Sequence, residues 1–284
     1  MREELSELDA IEPGHPLAGV LAKLARAQEH LDALDVEIAS FMEREPYGIS
    51  YERNPDGSDH SFRGQVREQP PLSIGILVGD CLQNMRAALD HLAWQLAIAS
   101  GKAEPSRQTA FPICDTRESF RSKVTKPKVK DLTAECRAVV EKLQPFQIGG
   151  EARDHWLWHL NELSRVDRHR VPHVVGAVAQ PTMSTHPVDK SADPEPYRLG
   201  KLGQSVTMTL RDSFATVKDG AEIMGWAFDP PRPDVEMHVE PDFFVTLDDG
   251  VGPAVRPVTD VLSGILSHIE GVVLPSLSKF FEDP

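Results

Sequence analysis

Two long stretches, Leu17 to about Arg44 and Leu72 to about Ser100, carry apolar residues at steps of three and four, so each must form a helix with one buried face. In the first, Leu17, Val20, Leu21, Leu24, Leu31, Leu34, Ile38 and Phe41 share that spacing, and Pro46 stops the run. Pro70-Pro71 precedes the second, and Gly101 suits its C-terminal cap. Between them, Asn54-Pro55-Asp56-Gly57 is a turn signal flanked by extended runs, which predicts a hairpin within Tyr47–Arg67.

Lys102 to Lys130 is broken by Pro105, Pro112 and Pro127 and reads mostly as loop. Leu132 to Leu143 reads as a third helix, and Glu151 to about Arg170, ended by Pro172, as a fourth. Thr185 to Gly203 is polar and proline-containing and reads as a loop. Ser205–Leu210, Glu222–Phe228 and Val235–Leu247 alternate and favour antiparallel strands; Val258 to about Phe281 returns to helical spacing. The expected fold is α+β and mainly α: one unit over 1–284, a bundle of four to five helices with an N-terminal hairpin excursion. The helical core would span 17–180 and 256–282, with a small antiparallel sheet inserted at about 200–250, before the last helix.

The net charge of −14 repels phosphate backbones and argues against broad nucleic-acid binding, leaving room for a local basic pocket. The cysteines, Cys81, Cys114 and Cys136, are odd in number and lack CxxC spacing. Met1-Arg2-Glu3-Glu4-Leu5 lacks the apolar run of a signal peptide, and no stretch reads as a bilayer span. These features predict a cytoplasmic protein without membrane contact.

The densest chemistry lies in the second helix. At about 100° per residue, Leu82, Met85, Leu89, Leu92 and Leu96 form its core seam. Asn84 and His91 share one flank; Arg86 and Asp90, an i,i+4 ion pair, share the other. Arg86 and His91 point about 140° apart. The small pair Ala87-Ala88 leaves room for a neighbour near Asn84 and His91. On the fourth helix, Trp156, Leu157, Leu160, Leu163 and Ser164 define an apolar arc that includes Asp167. A carboxylate there needs a partner, and Arg86 or His91 are the expected ones. Arg168-His169-Arg170 follows as a cationic cluster at a helix C-terminus. His155 and His159 stand at i,i+4, a spacing two metal-binding imidazoles can use, although HExxH is not present. GxGxxG, P-loop and GxSxG motifs are also missing from the sequence, and no cofactor is expected.

The ordered set Gly79-Asp80, Asn84-Met85-Arg86-Ala87-Ala88-Leu89-Asp90-His91-Leu92, Phe111-Pro112-Ile113, Leu143-Gln144-Pro145-Phe146 and Asp167-Arg168-His169-Arg170 resembles a bacterial family. That family reads GD-NLRSALDHL, FPI, QPY and DKHR, and no activity is attached to it. The likeness covers about residues 72–172, with Met85, Ala87 and Arg168 as mild departures. More loosely, Arg86 and His91 are similar to the R-x4–6-H signature of HEPN domains, helical bundles that often dimerise and cleave RNA without metal. That likeness implies an Arg86 that stabilises the scissile phosphate and a His91 that acts as acid or base.

Three readings follow. In the first, a HEPN-like bundle cleaves RNA or binds a nucleotide. Arg86 and His91 are then catalytic, Asn84 and Asp90 orient them, and Asp167, Arg168, His169 and Arg170 form the binding surface, with homodimerisation expected. In the second, a non-catalytic binding protein holds Arg86, Asp90 and Asp167 in a buried network and presents its sheet to a partner. In the third, a metal-dependent hydrolase uses His155 and His159.

Overall fold

The computed structural model describes residues 14–178, 182–187, 207–212, 216–248 and 255–281; the segments 182–187 and 207–212 are described by their backbone alone. The fold is α+β and predominantly helical, with an N-terminal hairpin and a small antiparallel sheet before the C-terminal helical segment. The chain divides into two compact units. One holds residues up to Glu37, Leu72–His173 and the segment from Asp249 onward; the other holds Ile38–Pro71 and Val174–Asp248.

The first unit is helical. It contains most of α1 (Ala18–Met42), then α2 (Leu72–Ala99), α3 (Arg117–Phe120), α4 (Lys126–Val129), α5 (Ala134–Lys142), α6 (Trp156–Asp167), α7 (Val258–His268) and α8 (Leu274–Ser278). The predicted α2 seam is the core: Leu82, Met85, Leu89, Leu92 and Leu96 are each at most 1% exposed. Gly101 closes α2 as expected, in the left-handed region (φ +88°), with its N–H donating to Ile98 O and the Lys102 N–H to Ala97 O. The expected loop 102–130 contains α3 and α4, short turns that proline content alone does not reveal. At α3, Thr116 caps the helix by accepting the Ser119 N–H. The fourth helix starts later than expected, at Trp156, because a 3-10 turn, Ala152–Asp154, comes first.

The last helical stretch widens into a π turn, Ile269–Val273, between α7 and α8. Pro275 has no N–H to give the preceding turn, and its ring crowds the carbonyl four residues back, which accounts for the widening. The expectation that no stretch suits a bilayer needs correction here. Val258–Ser278 is 21 residues long with a mean hydropathy of 1.4, enough by length and composition. Its faces differ, however. Val261, Leu262, Ile265, Ile269, Val273 and Leu277 are buried in the unit, while Ser263, Ser267 and Glu270 are exposed, the pattern of an amphipathic core helix.

The second unit is built on β1 (Tyr47–Arg53), β2 (Asp59–Val66), β3 (Val174–Val178), β4 (Thr182–Pro187), β5 (Thr207–Asp212), β6 (Glu222–Asp229), β7 (Val235–Glu240) and β8 (Phe243–Leu247). One antiparallel sheet has the order β1-β2-β6-β5; β3 pairs with β8 and β4 with β7. The hairpin turn forms as predicted. Gly57 takes φ +69°, its N–H donates to Asn54 O, and Asp56 Oδ1 accepts the Ser58 N–H at 2.9 Å. A Cβ on Gly57 would stand 2.1 Å from Arg232 O, so glycine is required twice over.

Three expectations in this unit change. Residues 174–178, assigned to the helical core, form β3, where Val174, Val175 and Val178 suit a strand. Thr185–Pro187, read as loop, belong to β4; 188–203 lie outside the described residues. Val235–Leu247 is two strands, because Pro241 cannot donate to a ladder and breaks the run. The core gathers Phe62, Met224, Trp226, Phe228, Val235 and Met237. Phe62 and Trp226 meet edge to face at 5.6 Å between centroids.

Candidate functional site

Gly79, Gln83, Arg86 and Asp90 recur at steps of four, three and four, so they form one stripe along α2. At its lower end α6 arrives. Asp167 Oδ2 accepts a hydrogen bond from Gln83 Nε2 at 2.7 Å. The other carboxylate oxygen lies so close to the α2 backbone that a Cβ on Gly79 would stand 2.2 Å from it. Asp167 is therefore half-buried and partnered, but by Gln83 rather than by Arg86 or His91.

Higher on the stripe, Arg86 Nη2 donates to Asp90 Oδ1 at 2.9 Å and to Phe111 O at 2.6 Å. Asp90 Oδ1 also accepts the Phe111 N–H at 3.0 Å. One carboxylate oxygen and one guanidinium nitrogen thus clip both polar groups of a loop residue onto α2. The Arg86 side chain is only 14% exposed, and its Nη1 is buried with no hydrogen-bond partner among the described residues. Burial pushes the guanidinium below its ordinary range and Arg168 adds to the effect, while Asp90 opposes it. The expected Arg86–Asp90–Asp167 network is therefore two neighbouring clusters, joined through the stripe and not by a direct bond. Gln144 extends the same support. Fully buried, it accepts the Cys114 N–H at 3.0 Å and donates to Val140 O at 3.0 Å, which fastens the loop after Phe111 to α5.

The opposite flank of α2 faces α1. Asn84 Nδ2 donates to Asp80 O at 2.9 Å, and its Oδ1 accepts from Lys23 Nζ at 3.3 Å. Ala88 is fully buried, as a close helix approach requires. His91 is exposed, and its Nδ1 would lie 3.5 Å from a Cβ on Gly19. With Trp94 and Gln95 it lines a groove of about 320 Å³ whose other wall is Pro16, Gly19 and Val20. Arg86 and His91 thus serve different flanks of α2 within one chain, as their angular separation required.

Arg168, His169 and Arg170 are exposed at the end of α6, where Arg168 and His169 N–H groups reach back to Ser164 O and Val166 O. His155 caps α6, its Nδ1 accepting the Leu157 N–H at 3.1 Å. His159 is buried between Trp156 and Trp158, at 6.0 and 5.4 Å between ring centroids. No group of three or more His, Cys, Asp or Glu side chains that could hold a metal occurs among the described residues.

Sequence reasoning passes over Gln83 and Trp94 and gives no role to Gln144. Gln83 was within reach, since it lies on the Gly79–Arg86–Asp90 arc by helical geometry. Gln144 entered only as part of the Leu143–Phe146 motif; its role as an acceptor was not legible, because that bond comes from a backbone N–H 30 residues away. No family model, no curated protein and no solved structure matches this chain.

Proposed function

We propose that the chain is a binding protein without hydrolytic chemistry, with the α1–α2 groove as its ligand site and the Arg86–Asp90 clip as its support. The observation that carries this reading is the use made of Arg86. Its Nη2 is spent on Asp90 and the Phe111 carbonyl in a nearly buried position, on the flank away from His91. A guanidinium so engaged is poorly placed to meet a phosphate in the transition state. The groove offers an apolar wall, a half-open indole and two polar side chains, the mixture that small-molecule sites use. Its volume is at the small end of such sites, about 300–1,000 Å³.

The HEPN-like reading would instead need His91 of one copy to reach Arg86 of a second. RNA or a nucleotide would also have to approach Arg168, His169 and Arg170 on a chain of net charge −14. A cytoplasmic setting goes with the binding reading, since all three cysteines are buried free thiols.

The test is incubation of the purified full chain with mixed RNA, with and without chelator, beside His91→Ala. Equal, negligible cleavage throughout is the expected result. Chelator-resistant cleavage lost in His91→Ala would overturn the reading in favour of the ribonuclease, and chelator-sensitive cleavage would overturn it in favour of the metal hydrolase. In parallel, a thermal-shift screen of small molecules should yield ligands whose effect is lost in Trp94→Ala.

A further inference from the structure

Three imidazoles gather where the start of α6 meets the end of α7. His155 is the N-cap of α6, and its Nδ1 accepts the Leu157 N–H. His268, the last residue of α7, sets its ring against His155 edge to face, at 4.7 Å between centroids and 82° between planes. The buried His159 stands one turn further along α6. Beside them the Trp156 ring rests on the α7 backbone at Gly264, where a Cβ would come within 2.6 Å of it. His268 Nε2 is buried with no hydrogen-bond partner among the described residues, and the π turn begins at the next residue.

We propose that this cluster is an acid-sensitive latch: a proton taken up at His155 Nδ1 releases the cap of α6 and loosens its seat on α7. The chemistry is a plain proton uptake from water. Nδ1 accepts the Leu157 N–H only through its lone pair, so protonation turns an acceptor into a donor facing a donor. The new cation would also sit at the positive end of the α6 dipole.

Among the described residues, the groups around it offer no compensation. From α6 the facing titratable group is His159 and from α7 it is His268, both of which disfavour or fail to stabilise a cation. Arg153 pairs with Glu151 in the 3-10 turn, Asp154 is exposed with Oδ2 towards Gly150, and Glu270 is exposed on the π turn. Burial, then His268 and His159, push His155 down to about 4, and burial lowers His268 as well.

The sign follows from linkage. With a folded-state value of about 4 against about 6.5 in an open chain, the closed latch is neutral and is at full strength above pH 6.5. It weakens as the pH falls from there towards 4, because only the open form takes up the proton readily.

The test is hydrogen exchange of the amides 156–160, corrected for intrinsic rates, in the full chain at pH 7.5 and pH 5. In the wild type the opening constant should rise roughly 30-fold between them at full coupling. His155→Asn keeps a capping acceptor that does not titrate, and should rise less than threefold. His155→Ala should already be open at pH 7.5. A rise in His155→Asn equal to that of the wild type would overturn the latch. So would a wild-type His155 ring that titrates above pH 6 by NMR, a measurement that needs no variant. The readout is local because His60, buried in the other unit, is also held below its ordinary value and would blend into any global melt.

Discussion

Alanine substitution at helical glycines would separate intrinsic helix propensity from packing in this chain. Propensity alone makes Gly→Ala favourable by about 1 kcal/mol in a helix interior. At Gly79 the new Cβ would stand 2.2 Å from Asp167 Oδ1 and 2.9 Å from its Cγ. The carboxylate must leave, and with it the 2.7 Å bond from Gln83. A hydrogen bond to a charged group contributes about 1.5–3 kcal/mol, and overpacking costs about 1–3 kcal/mol. Set against the gain of about 1, Gly79→Ala should destabilise the helical unit by about 1.5–5 kcal/mol, nearer the lower end because Asp167 is only half-buried. Gly75→Ala should cost at least as much. Its Cβ would meet Val171 Cγ1 at 2.6 Å and the Pro172 carbonyl oxygen at 2.9 Å, and backbone yields less readily than a side-chain tip. Gly271 has no described atom within 4 Å of its added Cβ, so Gly271→Ala should be neutral to stabilising by up to about 1 kcal/mol. The assay is urea denaturation followed at 222 nm, with the slope compared across variants. A Gly79→Ala protein as stable as the wild type would refute the reasoning. The cycle with Gln83→Ala sharpens the test: once the carboxylate has been displaced, removing Gln83 should cost little more, so the two changes must be non-additive.

Other consequences follow from the same contacts. Asp90→Ala strands a buried guanidinium and a loop N–H, and should cost about 2–3 kcal/mol, near the lower end because the Asp90 side chain is 38% exposed. Asp90→Asn keeps an acceptor and should cost roughly half as much; equal urea midpoints for wild type and Asp90→Ala would remove the clip as a stabilising element. Burial pushes Cys81 up to about 12 and Cys136 up to about 11, and Cys114 is buried. A thiol reagent at pH 8 should therefore find almost no reactive thiol in the native chain and three in urea; fast native labelling would contradict this.

Periodicity and punctuation determined the elements. The α2 seam, the Gly101 cap, the Asn54–Gly57 turn and the separation of Arg86 from His91 are consequences of residues within one or two turns of one another, so the sequence carries them. The i,i+4 pair Arg86–Asp90 was legible for the same reason. Partners distant in sequence were not. The apolar arc of α6 marks Asp167 as a carboxylate in need of a partner and points to Arg86 or His91, yet the partner is Gln83, 84 positions away, because helical spacing says nothing about which α2 residue α6 will meet. The early hairpin was recognised, but the addition of β2 to β6, with His60 opposite Trp226, is a pairing across most of the chain. Strands look alike to any sequence window until one face of each has been buried against another. The roles of His155 and His159 changed most. Their spacing allowed a metal, but His155 caps its own helix through the Leu157 N–H and His159 is buried against Trp156 and Trp158, while the contact of His155 with His268 joins residues far apart in sequence. Local geometry fixes which residues share a face, whereas the partner of that face is chosen by burial and hydrogen-bond satisfaction, which exist only once the helices and strands have packed.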